Sequence, residues 1–268
     1  MLWFRRFQPR IARIELSGVI SAPARRWILE ALHRVEQHKF PALVLRIDSP
    51  GGTVGDSEEI HSAICRLRRQ TKTKVVASFG NIAASGGVFV GVAADYIVAN
   101  RGTITGSIGV ILRGNNLEKL LDRVGVSFKT IKSGKFKDIL AFDRPLEPEE
   151  TQILQSLIDD SYEKFVQVVA EGRKLSTATV RSFADGRIFT GAQALALGLV
   201  DRLGTEEDAR IWSAELAGLD PKKAKFYTLK PPKSLASRLL PRSMVAVTER
   251  LEFELQTNGI PLWLMPSQ

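Results

Sequence analysis

Short runs of β-branched and apolar residues alternate with helical stretches along the first half of the chain, about thirty residues apart, which is typical of βαβ units around a mostly parallel sheet. The predicted strands are Ile14–Ile20, Leu43–Ile47, Lys74–Phe79, Tyr96–Ala99, Ile108–Leu112 and Phe128–Ile131. The predicted helices between them are Ala22–Gln37, Ser57–Arg69, about Ser85–Ala94, and Leu117–Val124 capped by Asn115 or Asn116.

A helix-rich pattern follows from Pro148 onward, where apolar residues recur at i, i+1, i+4 and i+5 and so predict one packed helix face. Further helices are predicted at Ser176–Ala184, Thr190–Leu197, Glu206–Leu216 and Met244–Leu255. The Pro, Lys and Ser content of residues 221–242 indicates an extended linker, and residues 260–266 form an apolar tail. The pattern therefore divides the chain into an N-terminal segment at 1–12, a folded domain at 13–220, and a linker with a tail at 221–268.

The overall balance of the 268 residues, 44% hydrophobic and 25% charged, is that of an ordinary globular protein. The formal charge of +9 would suggest a nucleic-acid or anionic-membrane partner. That charge, however, is concentrated in residues 1–14 and 221–242, which contain four and seven basic residues and no acidic ones. The folded domain is therefore close to neutral, which argues against nucleic-acid binding, and the basic ends become candidates for peripheral membrane contact or ring assembly.

The cellular setting is constrained by what the chain contains. The single cysteine, Cys65, excludes an intrachain disulfide framework and a cysteine-based metal cluster. No apolar run approaches the roughly 18 residues of a spanning helix, and the start does not read as an export signal. We therefore expect a protein that is cytoplasmic or peripheral on the cytoplasmic face of a membrane. Nothing in the sequence calls for a metal or an organic cofactor.

Three glycine-bearing turns carry the candidate chemistry, each at the predicted end of a strand. Asp48–Gly52 is either a tight turn or a backbone N–H presented to an anionic oxygen. Ala83–Gly87 holds Ser85, which is either a helix cap or a nucleophile whose following N–H joins an oxyanion hole. Thr103–Gly109 is either a polar turn or the source of a hydroxyl, that of Ser107, which orients a base.

A serine nucleophile needs a base, and the spacing of His33, His38 and His61 gives no support for a Ser-His-Asp arrangement. Lysine is the other common base, and the segment Lys132–Asp138 supplies three after a predicted strand. A lysine acts as a base near neutral pH only if its pKa falls from about 10.4 to roughly 7–8, which requires burial among neutral partners. A solvated surface role is the alternative for each of the three.

Together these segments closely resemble the signal peptide peptidase A family of serine–lysine peptidases, over about Ile14 to Thr205. The resemblance rests on several motifs in register, which are far more specific together than alone. They are Ile47–Gly52, Ala84–Gly87, Ala93–Asn100, Thr103–Val110, Lys132–Asp138, Asp185–Gly191 and Ala194–Asp201.

This resemblance implies an α/β chain with a Clp-protease or crotonase-like fold of ββα units and a helix-rich second half, and it implies a role for each motif residue. Ser85 is expected to be the nucleophile and Lys137 the general base, with Lys135 as the alternative base. Ser107 is expected to orient the lysine, and the N–H groups of Gly52 and Gly86 to form the oxyanion hole. Residues 13–220 would be the peptidase domain of a serine endopeptidase.

Two departures from the family pattern shape the expected assembly. The usual membrane-spanning anchor is not seen in this chain, and the single-repeat length implies that serine and lysine come from adjacent protomers. We therefore expect a ring homo-oligomer, an octamer by resemblance, that admits extended peptides such as signal-peptide remnants or other unfolded or membrane-associated proteins. Small or aliphatic side chains are the preference expected before the cut.

Two alternatives share the fold. A crotonase-type acyl-CoA enzyme would use the same N–H groups on a thioester enolate, but it usually needs acidic catalytic residues. A non-catalytic ring scaffold would keep the fold and lose the serine or the lysine, whereas both are present here.

Overall fold

The computed structural model describes residues 10–231 and 261–265. The strands are β1 (Arg10–Ser17), β2 (Ala42–Ser49), β3 (Gly51–Thr53), β4 (Lys74–Ala84), β5 (Tyr96–Ala99), β6 (Ile104–Gly106), β7 (Ile188–Thr190), β8 (Arg202–Leu203), β9 (Lys225–Thr228) and β10 (Leu262–Leu264). The helices are α1 (Ala22–Gln37), α2 (Val54–Gln70), α3 (Gly86–Gly91), α4 (Glu118–Val124), α5 (Pro148–Arg173), α6 (Thr177–Arg181), α7 (Gly191–Ala196) and α8 (Glu206–Leu216).

The main sheet has eight strands, with β7, β6, β4, β2, β1 and β9 in that order and β5 and β8 beside the first part of β4. All pairings within it are parallel except that of β6 with β7. A separate antiparallel pair joins β3 to β10. Parallel strands with helical crossovers are the α/β arrangement that the sequence pattern predicts.

Helices cover both faces of the sheet and bury it. The larger apolar core holds α1, α2, α3 and part of α5 against one face, with Phe79, Phe89 and Phe165 among its fully buried side chains. The smaller core lies on the other face, where Trp212 of α8 packs with residues of β1, β2, β4 and β5. Strands buried on both faces account for the near-continuous apolar runs in β2 and β4.

β4 changes partner partway along its length, at a point where Asp48 holds the backbone. Its first part pairs with β5 up to Phe79, and its last part pairs with β6 from Ile82 onward. The carboxylate of Asp48 accepts hydrogen bonds from the backbone N–H groups of Asn81 and Ile82, at 3.3 and 3.1 Å. The pairing of β4 with β2 shifts at the same place, between Ile47 and Ser49, and resumes where Ser49 pairs with Ala83, so this irregular step sets the position of the serine that follows β4.

Most of the predicted elements lie close to their observed positions, but two predicted strands are wrong. At Ile108–Leu112 the chain has already left the sheet after Ser107, whose φ of 52° breaks the extended backbone, and the observed strand is β6. Phe128–Ile131 has the β-branched and aromatic composition of a strand but is exposed, with Ile131 92% accessible. Without a neighbouring strand, that composition does not produce one.

The C-terminal part of the chain adds to the fold beyond the predicted boundary at residue 220. β9 lies in the predicted linker, pairs with β1 and so belongs to the main sheet. In the apolar tail, Leu262 and Trp263 are buried against the rest of this chain. The predicted helix Met244–Leu255 lies outside the described residues. Among the residues described, no helix is both long and apolar enough to cross a membrane.

Candidate active site

Ser85 stands between the end of β4 and the start of α3, in a backbone conformation that few non-glycine residues adopt. Its φ is 52° and its ψ is −117°, which costs about 1–3 kcal/mol unless the surroundings impose it. The hydrogen bond from its N–H to the carbonyl of Gly106, at 2.8 Å, is one such constraint. The residue is 1% exposed, and within the described residues its hydroxyl has no hydrogen-bond partner. A strained serine with an unpaired buried hydroxyl is typical of a nucleophile.

The turn at Gly51–Gly52 lies against this serine turn, backbone to backbone. The Cα of Gly51 is 3.2 Å from the position that a Cβ on Gly86 would occupy, and the N of Gly86 is 2.7 Å from the position of a Cβ on Gly51. Gly51 has a φ of 104°. Any side chain at either position would separate the two turns, which is the reason for glycine at both.

The N–H of Gly52 is directed toward the site by the hydrogen bonds of its neighbours. Ile20 donates to the carbonyl of Gly51 and accepts from the N–H of Thr53, at 2.8 and 3.0 Å. The N–H of Gly51 donates to the hydroxyl of Ser49. Because backbone groups alternate in direction along an extended chain, Gly52 presents its own N–H to the opposite side, where Gly86 lies. This geometry fits the predicted oxyanion pair.

Ser107 is brought beside Ser85 by the register of the sheet. Ala84 pairs with Gly106, so the two serines directly follow paired residues on neighbouring strands, which run roughly 5 Å apart. Both serines have a φ of 52°. The hydroxyl of Thr105 donates to the carbonyl of Ala83 at 2.7 Å and fixes β6 to β4 just before this point. The predicted nucleophile and the predicted orienting hydroxyl therefore lie at adjacent positions.

The three lysines of the predicted base motif lie on an arm, defined as residues 112–147, that leaves the core after the Ser107 turn. Lys132 pairs with Asp138 at 2.5 Å, and Lys135 pairs with Glu149. Lys137 is exposed, and among the described residues it has no carboxylate partner. Within the described residues of one chain, the hydroxyl of Ser85 has no hydrogen-bond partner, so it forms no hydrogen bond with Lys137 of the same chain.

A partly buried ion network joins the predicted base motif to the start of α5. Arg144 donates to both carboxylate oxygens of Glu150 and to the carboxylate of Asp138, at 2.6 to 3.0 Å. The side-chain hydrogen bond from Lys132 and those from Arg144 lower the pKa of Asp138 to about 2, and the bonds from Arg144 lower the pKa of Glu150 to about 2. Both carboxylates are therefore ionised at neutral pH, and the network sets the course of the chain on either side of Lys137.

The histidines do not serve Ser85. His61 is partly buried next to the ring of Phe89, at a centroid distance of 5.0 Å, and its nitrogens lie 3.8 Å from the sulfur of Cys65. Burial, together with the charges of Lys164 and Arg68, lowers the pKa of His61 to about 4, so it is neutral at pH 7. Its ring packs at the edge of the larger core.

Sequence reasoning missed several residues that build the site. The hydroxyl of Ser57 lies 2.8 Å from the position that a Cβ on Gly86 would occupy, and it donates a hydrogen bond to the carbonyl of Thr53. It therefore packs between the start of α2 and the serine turn. Trp263 of the tail lies against Gly51 and Gly86. Ser57 is recognisable in the sequence as a small residue in the first turn of α2. In contrast, nothing in the sequence of the tail indicates where the tail docks. Within residues 10–231 and 261–265, no group of three or more His, Cys, Asp or Glu side chains is placed to hold a metal ion.

Comparisons with known proteins show which family the chain belongs to. A family model described as peptidase family S49 matches residues 67–220. The Synechocystis protein named "Putative protease slr0021" is 60% identical over 95% of both chains. Protease 4 of Salmonella typhi is 39% identical over 72% of this chain, which corresponds to 31% of that protein. The chloroplastic serine protease SPPA of Arabidopsis thaliana is 37% identical over 72% of this chain and 29% of its own.

Comparison with a solved structure shows which fold the chain adopts. A ClpP1 mutant from Listeria monocytogenes superposes with a TM-score of 0.51, at 17% identity, over 74% of this chain and 93% of its own. The family match and the protease-named relatives define the class as a serine-type peptidase. Within that class the chain belongs to peptidase family S49, and the resemblance to signal peptide peptidase A is confirmed.

Proposed function

We propose that this protein is a serine endopeptidase with a Ser85–Lys137 dyad. The observation that carries the proposal is the buried, unpaired hydroxyl of Ser85 beside the N–H groups of Gly52 and Gly86. In the proposed reaction, Lys137 takes the hydroxyl proton, the oxygen of Ser85 attacks a peptide carbonyl, and the two N–H groups stabilise the resulting oxyanion. Ser107, beside Ser85, would orient the lysine. As the tetrahedral intermediate collapses, the C–N bond breaks and Lys137 returns the proton to the departing amine, and water then hydrolyses the ester left on Ser85.

The environment of the lysines favours Lys137 as the base over its neighbours. A carboxylate partner stabilises the ammonium form of a lysine, and both Lys132 and Lys135 have one. Lys137 has none among the residues described, so it is free to move to a less polar setting and lose its proton there. This difference between the lysines supports Lys137 as the base, which the family motif places at its last lysine.

The surface of the arm supports an assembly in which the lysine reaches a neighbouring protomer. Phe128 is 55% exposed and Ile131 is 92% exposed, which is unusual for large apolar side chains on a monomer. The other exposed apolar residues of the arm are Leu117, Leu120, Val124, Val126, Phe142 and Leu146. We propose a ring of identical protomers, with the octamer as the expected size, in which the arms bury this surface and complete each site.

Peptide cleavage by matched variants tests the dyad. We expect Ser85→Ala and Lys137→Ala to lose activity and Lys135→Ala to keep it. Lys137→Arg is expected to be inactive as well, because guanidinium keeps the charge but does not deprotonate. The wild-type rate is expected to rise with pH across the neutral range, as for other lysine bases. Cleavage by Ser85→Ala at the wild-type rate would contradict the proposal.

Mixing the two inactive variants tests the shared site. When Ser85→Ala and Lys137→Ala subunits are unfolded together and reassembled, about a quarter of the sites in a random ring would receive both intact residues, and activity should return. Each variant reassembled alone is the control. Recovery of no activity from a mixture that forms rings would show that the site belongs to one chain.

The substrates and location of the enzyme are proposed more broadly. Extended peptides, such as signal-peptide remnants or unfolded proteins, fit a recessed serine that is 1% exposed. Peripheral membrane contact is proposed for the basic N-terminal segment ahead of β1, because β1 begins at Arg10 and the tail residue Trp263 is fully buried in the chain. The acyl-CoA alternative finds no support in the family match, and the scaffold alternative is opposed by the presence of both Ser85 and Lys137.

A further inference from the structure

Exposed cationic side chains line the N-terminal ends of the parallel strands, at the end of the sheet opposite the candidate active site. Arg10 begins β1, Lys74 begins β4 and Lys225 begins β9, and all three are exposed. Lys39 and Lys72 are exposed in the turns that lead into β2 and β4. These five residues are called the basic edge.

The register of the sheet brings the members of the basic edge together. Arg10 and Lys225 are direct partners on neighbouring strands, so two like charges lie about 5 Å apart at the backbone, an arrangement that destabilises a sheet. The hydroxyl of Thr73 donates to the carbonyl of Phe40 at 2.7 Å and joins the turns before β2 and β4. From β9 to β4 the row crosses β1 and β2 and spans about 15 Å. Five positive charges therefore share one small surface.

Neighbouring carboxylates do not neutralise the basic edge. Among the residues that the structure describes, none of its five cations forms an ion pair. The acidic side chains nearest to the strand starts along the chain are Glu36, Asp95, Glu215 and Asp220. Asp95 pairs with Arg68 at 2.6 Å. Asp220 pairs with Lys223 at 3.3 Å. Of these four acids, Glu36 and Glu215 are left to offset five cations, so the basic edge is strongly positive.

Aromatic groups accompany these charges. Tyr227 of β9 is 41% exposed, its ring stacks on Phe40 at a centroid distance of 5.5 Å, and the guanidinium of Arg10 lies 5.4 Å from its centre. The sequence of residues 2–7, shortly before β1, is Leu-Trp-Phe-Arg-Arg-Phe. Because β1 begins at Arg10, this apolar and basic sequence is joined to the domain at the basic edge. Tyrosine and tryptophan beside basic residues are typical of surfaces at a membrane–water interface.

From these observations we infer that the basic edge is the face by which the folded domain docks on a membrane that contains anionic lipids. Anionic headgroups would relieve the repulsion between Arg10 and Lys225, and the apolar residues joined to this face would enter the interface. A nucleic acid would offer the same charge but nothing for those apolar residues to enter. The inference extends the contact proposed for the N-terminal segment to the folded domain, and it does not depend on the Ser85–Lys137 dyad.

The basic edge and the candidate active site are far enough apart to be tested separately. β4 runs for 11 residues from Lys74 to Ala84, and Ser85 follows its end. At about 3.3 Å per residue, roughly 30 Å separate the basic edge from the proposed nucleophile. Substitutions at the basic edge are therefore expected to leave the cleavage of a soluble peptide unchanged.

The first experiment measures how the full chain binds to lipid vesicles. The vesicles are made of phosphatidylcholine alone or with about 30% phosphatidylglycerol, and cosedimentation is measured at about 0.1 M and about 0.5 M salt. We expect binding to the anionic vesicles at the lower salt concentration, weaker binding at the higher one, and little binding to phosphatidylcholine. Equal binding to both kinds of vesicle, or binding to neither, would overturn the inference.

The second experiment removes two charges from the basic edge. Each cation close to an anionic surface strengthens binding about fivefold, so Lys74→Gln with Lys225→Gln is expected to weaken binding about 25-fold. The matched control is Arg26→Gln with Lys164→Gln, which removes the same charge from exposed positions on α1 and α5 and should change binding less than about threefold. An equal loss in both pairs would show that only net charge matters and would refute a docking face.

A second pair guards against a folding defect. Lys39→Gln with Lys72→Gln changes turns and no strand position, and it is expected to weaken vesicle binding by a similar factor with unchanged urea unfolding. If neither pair affects binding while Arg5→Gln with Arg6→Gln abolishes it, the contact belongs to the N-terminal segment alone and the inference is wrong. If the edge pairs weaken binding to a DNA duplex and the wild type ignores vesicles, the face binds nucleic acid instead.

Peptide cleavage measured on the same proteins separates this inference from the proposed function. Vesicle binding that depends on the basic edge supports the inference even if the wild type cleaves no peptide, in which case the proposed function alone has failed. Cleavage of a soluble peptide by the wild type, without any binding to anionic vesicles, would overturn the inference and leave the dyad standing.

Discussion

Replacing Gly51 by alanine should disable the site while leaving the fold in place. A Cβ at this position would lie 1.9 Å from the carbonyl oxygen of Trp263 and 2.7 Å from the N of Gly86. Real Cβ atoms do not approach backbone atoms so closely, so strand β10 must move away and the two turns must separate. The φ of 104° adds strain of about 1–3 kcal/mol for alanine.

The expected loss of activity follows from the proposed oxyanion hole, because the N–H groups of the separated turns can no longer donate to one oxygen. Loss of one such donor lowers kcat by roughly 100- to 1,000-fold in other serine peptidases. Gly55→Ala is the matched control: it lies four residues on, in the first turn of α2, with no atom within 4 Å of its Cβ position. That change should leave activity intact and stabilise the protein by about 0.4–1 kcal/mol.

Peptide cleavage and urea unfolding measured on both variants test this reasoning together. We expect Gly51→Ala to unfold at lower urea and to cleave far more slowly, and Gly55→Ala to do neither. If Gly51→Ala cleaves within about threefold of the wild type, the turn at Gly51–Gly52 is not part of the site. If Gly55→Ala loses as much activity as Gly51→Ala, the effect is not specific to the close contact.

Three further changes have expected outcomes. His61→Phe should leave the rate of cleavage and its pH profile unchanged and should flatten the pH dependence of stability. The pKa of His61 is about 4 in the folded protein and 6.5 ordinarily, so the wild type loses up to roughly 3 kcal/mol of folding stability as pH falls from 6.5 to 4. Asp48→Ala should destabilise by about 1–3 kcal/mol, because it strands two N–H groups of β4, and should lower activity through Ser85. Arg144→Ala should raise the pKa values of Asp138 and Glu150 from about 2 toward their ordinary values, so that the variant is less stable than the wild type at neutral pH and loses less thermal stability between about pH 4 and pH 2.

Each of these has a result that would contradict it. A histidine base would be indicated if His61→Phe abolished cleavage in a folded protein. Full activity and unchanged urea unfolding in Asp48→Ala would show that the step in β4 does not support the serine. For the arm network, the wild type keeps its stability above the ordinary carboxyl pKa values near 4 and loses it toward pH 2, so melting curves of Arg144→Ala that follow the wild type throughout would refute the coupling.

The elements that could be predicted from the sequence are those whose signals are local. The helix Ala22–Gln37 was predicted to the residue, as was Glu206–Leu216, because a proline or an acidic first turn marks the start and the apolar spacing marks the length. The glycine pairs around Ser85 and at Gly51–Gly52 were also recognisable, since a backbone that must approach another backbone admits no side chain.

What could not be predicted depends on contacts between distant parts of the chain. The run Ile108–Leu112 has the composition of a strand, but its course is decided by the turn at Ser107. The apolar tail has no local sign of its docking site, because its partners are backbone groups of Gly51–Thr53 that any extended segment could pair with. In the proposed ring, the position of Lys137 relative to Ser85 would likewise depend on contacts between protomers.

The division of β4 between two partners has a consequence for how the enzyme loses activity. The part that pairs with β5 lies between β5 and a continuous stretch of β2, whereas Ile82–Ala84 lies between the three-residue strand β6 and the end of β2, where Ala83 pairs with Ser49 after a register shift. Hydrogen exchange should therefore find the amides around Val76–Phe79 protected until the whole domain unfolds, and those of Ile82–Ala84 released by a smaller opening. Ser85, the proposed nucleophile, follows the less protected part, so inactivation should precede global unfolding as denaturant rises.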